Sequence, residues 1–405
     1  MNDPETLTEF EPKEIPLSNR DIAFIGANQG NALDIEWSRE GKSTVRAKNR
    51  VGTIVLPERR IIIRPKIEKV NFFHMLAESY ELLDFGLRSF LYEKEPEIHE
   101  AIIEIFLQKL LSLIRSGLSK DYFTEEANLP FLRGRWLPLE DKTRNLPPRT
   151  RIYCRFPEFS HDTPENQILQ LALNQLRESE IETLALRQMT MHLSRYFEGI
   201  SSITRFQVPT VEYTRLNEHY RPIVNSALFI IENSTINPEK WGENTYYSFL
   251  VNLERLFERF LRNKLRKTAL QHGLDVVGGE RQTGKWYLLE PRRFRLNPDI
   301  VVKKQGKPLV ILDAKYKKIT SYQDIEQGDV YEVVSYCVSI GAKFAALVYP
   351  QQEGFSFDGI PEQVHGVDVK LAFYSIPLYE RDQSKFEQGI SDFNDYVVGL
   401  AKQAL

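Results

Sequence analysis

Short apolar runs separated by turn residues open the chain. Ile22-Ala23-Phe24-Ile25, Gly52-Thr53-Ile54-Val55-Leu56 and Arg60-Ile61-Ile62-Ile63-Arg64 read as β-strands, the last stopped by Pro65. The pattern predicts a small, mostly β module reaching to about residue 70. Beyond it, apolar residues recur every three and four positions over 72–92 and 97–119, the periodicity of amphipathic helices. Residues 129–159, rich in Pro and Arg, predict a connector. Asp162-Thr163-Pro164-Glu165-Asn166 marks a helix start, with Asp162 or Thr163 as cap and Pro164 in the first turn. A second connector is expected over 233–244, around Pro238 and Gly242.

From Tyr246 the pattern reads helix, strands, helix, strand. Leu253, Leu256, Phe257, Phe260, Leu261 and Leu265 form one helical stripe. Strands follow at Val276-Val277, Trp286-Tyr287-Leu288-Leu289, Ile300-Val301-Val302 and Leu309-Val310-Ile311-Leu312. Residues 329–339 predict a helix, and Phe344-Ala345-Ala346-Leu347-Val348-Tyr349 a buried strand ended by Pro350. The expected architecture is a multidomain α/β (α+β) protein. A β-rich N-terminal module plus helices fills 1–128, a connector and helical middle region 129–240, and a compact α/β domain 241–405.

Composition narrows the class. With 405 residues, 42% hydrophobic and 27% charged, the chain suits a soluble globular protein of two or three domains. It lacks an apolar stretch of the roughly 20 residues that a membrane helix needs. Met1-Asn2-Asp3-Pro4-Glu5 has neither the basic flank nor the apolar block of a secretory signal, so the expected location is the cytoplasm, with no membrane partner. Cys154 and Cys337 lie far apart and read as buried small hydrophobes. None of the 7 histidines recurs at metal-helix spacing, which argues against histidine-based metal chemistry. The net charge of −3 hides an asymmetry: residues 255–318 hold 17 Lys/Arg against 6 Asp/Glu, and residues 319–405 hold 5 against 13. A basic block of this kind is the footprint of a polyanion on one face, or else a solvated helix and its turns.

Pro298-Asp299 opens one predicted strand and Asp313-Ala314-Lys315 closes the next. The residues between Val302 and Leu309, Gly306 among them, fit a hairpin turn. Symmetry about Gly306 makes paired positions sum to 612, as 299 and 313 do, which sets Asp299 opposite Asp313. Strand alternation puts Lys315 on the face of Asp313. Two adjacent carboxylates repel, and a divalent cation removes the conflict; hard oxygen donors suit Mg²⁺ or Mn²⁺. A structural salt bridge from Lys315 to either aspartate is the plainer alternative. Gly279-Glu280-Arg281-Gln282-Thr283-Gly284-Lys285-Trp286 approaches a phosphate loop, but Trp286 supplies no hydroxyl and its surroundings read as a strand. Nucleotide hydrolysis within this chain is not expected.

Asn297-Pro298-Asp299-Ile300-Val301 together with Ile311-Leu312-Asp313-Ala314-Lys315-Tyr316-Lys317 resembles the core of the PD-(D/E)XK nuclease superfamily. In detail the chain is similar to the McrC family, the nuclease subunits of McrBC modification-dependent restriction systems. Leu256-Phe257-Glu258, Asp329-Val330-Tyr331, Tyr336, Ile63-Arg64-Pro65-Lys66-Ile67, Met75-Leu76, Cys154, Ser160 and Asn166-Gln167-Ile168-Leu169 extend the likeness over most of 50–350. The resemblance implies a C-terminal PD-(D/E)XK restriction-endonuclease-like domain. Asp299, Asp313, the Ala314 carbonyl and Glu258 would be its metal ligands, and Lys315 its catalytic lysine. Glu254, one turn earlier, competes with Glu258.

Related nucleases carry Gln-x-x-x-Tyr on the next helix, where this chain reads Glu332-Val333-Val334-Ser335-Tyr336. Tyr331, Glu332 and Tyr336 are therefore supporting residues. Arg292, Arg293, Arg295 and Lys317 are the expected DNA contacts, arginine forks matching phosphate oxygens. The resemblance further implies a Mg²⁺ (or Mn²⁺) cofactor and modified double-stranded DNA as substrate. It also implies an AAA+ GTPase partner of the McrB type, whose GTP hydrolysis the N-terminal part would stimulate. The alternative is a nuclease fold without catalysis that scaffolds such an NTPase.

Overall fold

A computed structural model describes residues 4–37, 42–81, 97–145, 150–179, 181–238, 245–278 and 286–405. Contacts group the chain into two units, Met1–Glu97 with Thr235–Leu405, and Ile98–Ser234.

The first unit begins with β1 (Glu5–Thr8) and β2 (Pro12–Glu14). Residues 22–25, expected as a strand, lie instead in helix α1 (Asn19–Asn28). Ser18 and Asp21 close a capping box at its start, and Asp21, Phe24 and Ile25 bury at helical spacing, which outweighs the strand preference of four apolar residues. Next come β3 (Leu33–Trp37), β4 (Ser43–Ala47), β5 (Arg50–Val55), β6 (Arg60–Arg64) and α2 (Lys69–Ser79). Of the helix expected over 72–92, α2 ends at Ser79 with Tyr80 as its C-cap, and residues 82–92 lie outside the described residues.

Strands β2, β4 and β3 form one antiparallel sheet. The larger sheet has the order β1-β6-β5-β11-β10, completed by β10 (Ser234–Pro238) and β11 (Thr245–Asn252). The apolar residues from Tyr246, expected to begin a helix, are strand β11, hydrogen-bonded antiparallel to β5. Gly52 permits the close pairing, since a Cβ there would lie 2.0 Å from the Phe249 carbonyl oxygen. One sheet thus joins segments on either side of the boundary expected at 241.

In the second unit, α3 (Ile98–Ser116), α5 (Pro164–Glu178), α6 (Leu184–Ser194) and α7 (Arg221–Asn233) pack together. Thr163 caps α5 by accepting the Asn166 N–H, with Pro164 in the first turn as the sequence predicts. The stretch 129–159 is not a bare connector: it holds β8 (Arg135–Trp136), helix α4 (Pro138–Arg144) and most of β9 (Ile152–Ser160), which pairs with β7 (Asp121–Leu129) and β8. Pro157 is tolerated because β8 covers only Arg155 and Cys154. At Pro157 strand β9 therefore has an open edge and no second partner to lose.

The C-terminal part of the first unit surrounds a six-stranded sheet. Helix α8 (Leu253–Gln271) buries the whole predicted stripe. The sheet order is β12-β15-β16-β17-β19-β18, from β12 (Asp275–Val277), β15 (Ile300–Lys304), β16 (Lys307–Ala314), β17 (Phe344–Pro350), β18 (Glu362–Gln363) and β19 (Lys370–Ile376). β13 (Trp286–Leu289) and β14 (Arg293–Leu296) form a separate two-stranded ribbon.

α9 (Gln327–Ile340) packs Val333, Tyr336 and Cys337 into a core with Val301, Ile311 and Leu347 of the sheet. α8 and α10 (Gln383–Gln403) also lie against β16. With helices packed on it, β16 is buried continuously from Leu309 to Ala314, which explains its unbroken apolar run. Residues 279–285 lie outside the described residues; Trp286 opens β13 as expected. Both cysteines are buried and free. Among the described residues no helix is long and apolar enough to cross a membrane.

Candidate active site

The β15–β16 hairpin sets the geometry. Its turn is Gln305-Gly306, both left-handed at φ 50° and 82°, as a two-residue type I′ turn requires. Pairs beside the turn, Lys304 with Lys307 and Lys303 with Pro308, sum to 611. A bulge between Val302 and Lys303 then shifts the register, and Val302-Val310, Val301-Ile311 and Ile300-Leu312 sum to 612. The expected symmetry centre is half a residue off; the bulge restores the expected facing. Continuing that register places Asp299 opposite Asp313. The Ala314 N–H donates to Asp299 Oδ2 at 2.8 Å, which pins the carboxylate at the strand end.

Backbone contacts hold the rest of this corner. A Cβ on Gly278 would lie 1.9 Å from the Asp299 carbonyl oxygen, so the chain after β12 passes against that peptide. Arg262 on α8 donates to the same oxygen at 3.3 Å and is ion-paired with Glu258. Glu258 thereby stands close enough to raise the Asp299 carboxyl. Glu254 instead accepts from Asn49 at 3.0 Å on an exposed edge. Arg262 was not singled out from the sequence, although its i, i+4 spacing from Glu258 is a readable pairing signal.

Lys315 is the hub of the cluster. Its Nζ lies 2.7 Å from Asp313 Oδ2, 3.0 Å from Glu332 Oε2 and 3.6 Å from Asp329 Oδ1. The Tyr336 hydroxyl donates to Glu332 Oε1 at 2.7 Å, so the Glu-for-Gln departure still finds a polar role beside the lysine. Lys317 is bound by Asp329 at 2.8 Å and Glu326 at 2.9 Å, which neutralises the charge expected to reach DNA. Tyr331 is 68% exposed on α9 and has no part in this cluster. Arg292, Arg293 and Arg295 are exposed on the β13–β14 ribbon. Sequence reasoning also misses Tyr349, a buried residue whose hydroxyl has no hydrogen-bond partner among the described residues; burial, then the charge of Asp329, raises its pKa against the pull of Lys315.

The electrostatics follow from crowding. Burial, then the charges of Asp313 and Glu258, hold the Asp299 carboxyl well above its usual range, against the pull of the Ala314 N–H and Lys315. Burial also raises Asp313, with Lys315 opposing and Glu332 and Asp329 reinforcing. For Lys315, burial works against the ammonium, but Asp313 and Glu332 overcome it and the pKa rises. Burial would raise Glu332 too, yet the hydrogen bonds from Tyr336 and Lys315 prevail and lower it.

Comparison with known proteins places the chain. The family model described as "McrBC 5-methylcytosine restriction system component" matches residues 45–350. The chain belongs to this family. Its fold is similar to a solved structure described as a refined half-complex from the tetradecameric assembly of Thermococcus gammatolerans McrB AAA+ hexamers with bound McrC. The TM-score is 0.60 at 20% identity, covering 97% of this chain and 99% of that chain. A cryo-EM structure of the Thermococcus gammatolerans McrBC complex matches with a TM-score of 0.45 at 20% identity, over 65% of this chain and 88% of that chain. Among curated proteins there is no match.

In this McrBC family member the donors at the hairpin suit a hard cation. Asp313 is 3% exposed, and its Oδ2 is paired with the Lys315 ammonium at 2.7 Å. Two buried carboxylates that repel each other are hard oxygen donors, and a set without sulfur or imidazole fits Mg²⁺ or Mn²⁺ better than zinc. Among the described residues no three His, Cys, Asp or Glu side chains already converge into a cage, because Glu258 is turned to Arg262.

Proposed function

We propose that this chain is the metal-dependent endodeoxyribonuclease subunit of a McrBC-type restriction system. It hydrolyses phosphodiester bonds of modified double-stranded DNA when assembled with an AAA+ GTPase of the McrB type, whose GTP hydrolysis it stimulates. The observation that carries the reading is the facing pair Asp299 and Asp313, locked by the Ala314 N–H, with Lys315 beside Asp313. The family match and the fold likeness to a McrC bound to McrB hexamers support the system and the partner.

The nuclease domain of this reading is PD-(D/E)XK-like and built on the six-stranded sheet, and the protein acts in the cytoplasm. Asp299, Asp313 and the Ala314 carbonyl would hold Mg²⁺, with Glu258 completing the set once released from Arg262. When bound, such a cation polarises a phosphoryl oxygen and makes a coordinated water more acidic. Lys315, ringed by Asp313, Glu332 and Asp329, supplies a positive charge for the negative charge that develops at phosphorus. Glu332 and Asp329 hold the ammonium in place.

The test is a cleavage and GTP-turnover assay with methylated duplex DNA, Mg²⁺, a McrB-type partner and GTP, comparing wild type with Asp313→Ala. Cleavage by wild type alone supports the reading. Equal cleavage by both removes the catalytic assignment. Stimulated GTP turnover without cleavage by either identifies the chain as a scaffold.

A further inference from the structure

The β13–β14 ribbon carries features that the carboxylate cluster does not use. Its base is anchored: Leu296 is buried in the core beside Val301 and Ile311, and Lys303 Nζ lies 4.5 Å over the Trp286 ring. Its outer part faces solvent. Trp286-Leu296, Tyr287-Arg295 and Leu289-Arg293 pair, while Leu288 and Phe294, which the same register would set opposite each other, do not. Phe294 has φ 57°, a left-handed backbone that an aromatic residue rarely adopts, and Arg292 has φ 62°. Phe294 is also 69% exposed, so packing does not offset this strain. Arg293 and Arg295 flank it, both exposed.

An exposed aromatic side chain held in a strained backbone between two arginines matches the chemistry of a nucleic acid, phosphates outside and base faces inside. A two-stranded ribbon also fits a duplex groove. Phe294 lies five residues before Asp299 in the chain, and the ribbon leads directly into the strand that Asp299 opens. We propose that the β13–β14 ribbon is a DNA probe, Arg293 and Arg295 seating on phosphates while Phe294 wedges against the bases of the duplex. This deepens the nuclease reading, on which it rests for the substrate.

The test uses the full chain assembled with its AAA+ partner and a duplex carrying 2-aminopurine, in Ca²⁺ so that binding is read without cleavage. Wild type is expected to bind and to raise the 2-aminopurine emission as a base step opens. Phe294→Gly suits the left-handed backbone, so it should melt no lower than wild type, yet lose about tenfold in affinity and the emission change. Arg293→Ala with Arg295→Ala should flatten the dependence of log affinity on log salt by about 2. Unchanged affinity and emission in Phe294→Gly, or no duplex binding by wild type, overturns the proposal. Loss of cleavage in Asp313→Asn with binding intact tests the carboxylate centre separately.

Discussion

The peptide of Asp299 lies against Gly278 so closely that a Cβ at Gly278 would stand 1.9 Å from the Asp299 carbonyl oxygen. The obstructing atom is backbone, so any side chain at 278 must push the carboxylate-bearing corner away. Gly278→Ala is expected to destabilise the protein by about 1–3 kcal/mol, as overpacking does, and to lower cleavage at least tenfold while DNA binding persists. Thermal melting and single-turnover cleavage measure the two effects. A wild-type rate would mean that this contact does not position Asp299.

Glu9 gives a pH dependence with a definite sign. The side chain is fully buried; Oε1 accepts from the Lys66 N–H at 2.7 Å and the Tyr316 hydroxyl at 2.9 Å, and Oε2 has no hydrogen-bond partner. Burial pushes its carboxyl up to about 7 from 4.5, against those two hydrogen bonds. Between these values the folded chain keeps a proton that the unfolded chain has released. Glu9 therefore contributes full stability below about pH 4.5, and roughly 3 kcal/mol is lost as pH rises through 7. Glu9→Gln should remove this component, seen as a flatter urea midpoint between pH 5 and pH 8. An unaltered pH slope would count against the buried carboxyl.

The Asp21–Arg59 pair is a structural counterpart. Asp21 is fully buried and accepts from Arg59 Nε at 3.0 Å, the Glu58 N–H at 3.1 Å and the Ser18 N–H at 3.3 Å. Asp21→Ala strands the Arg59 guanidinium and is expected to destabilise the fold by roughly 3–5 kcal/mol in urea unfolding. A change below about 1 kcal/mol would show that Arg59 finds water or another acceptor.

Glu332 separates position from charge. Gln at this site still accepts from the Tyr336 hydroxyl but withdraws one anion from Lys315. Glu332→Gln should retain cleavage within about fivefold, whereas Lys315→Met should lose it by at least a hundredfold. Equal losses in both would make Glu332 a direct participant.

How far the sequence reveals this depends on whether a feature is local. The hairpin, its facing aspartates, the α8 stripe and the Thr163 cap follow from periodicity and turn chemistry within about twenty residues. β11 was misread because a run of apolar residues ahead of a helix looks like more helix, and its partner β5 lies about 200 residues away. β9 is hidden by Pro157, which only an open edge excuses. β19 and α10 were not foreseen. Arg262 binding the Asp299 carbonyl, and Tyr316 reaching Glu9 across 307 positions, are tertiary contacts with no local trace.

Asp299 and Asp313 are proposed to hold one divalent cation between them. Mn²⁺ titration followed by electron paramagnetic resonance, with Mg²⁺ competition, tests it on the intact chain. Wild type is expected to show a single Mg²⁺-displaceable site that is lost in both Asp299→Asn and Asp313→Asn. A site of equal strength in all three proteins, or none in wild type, would contradict it.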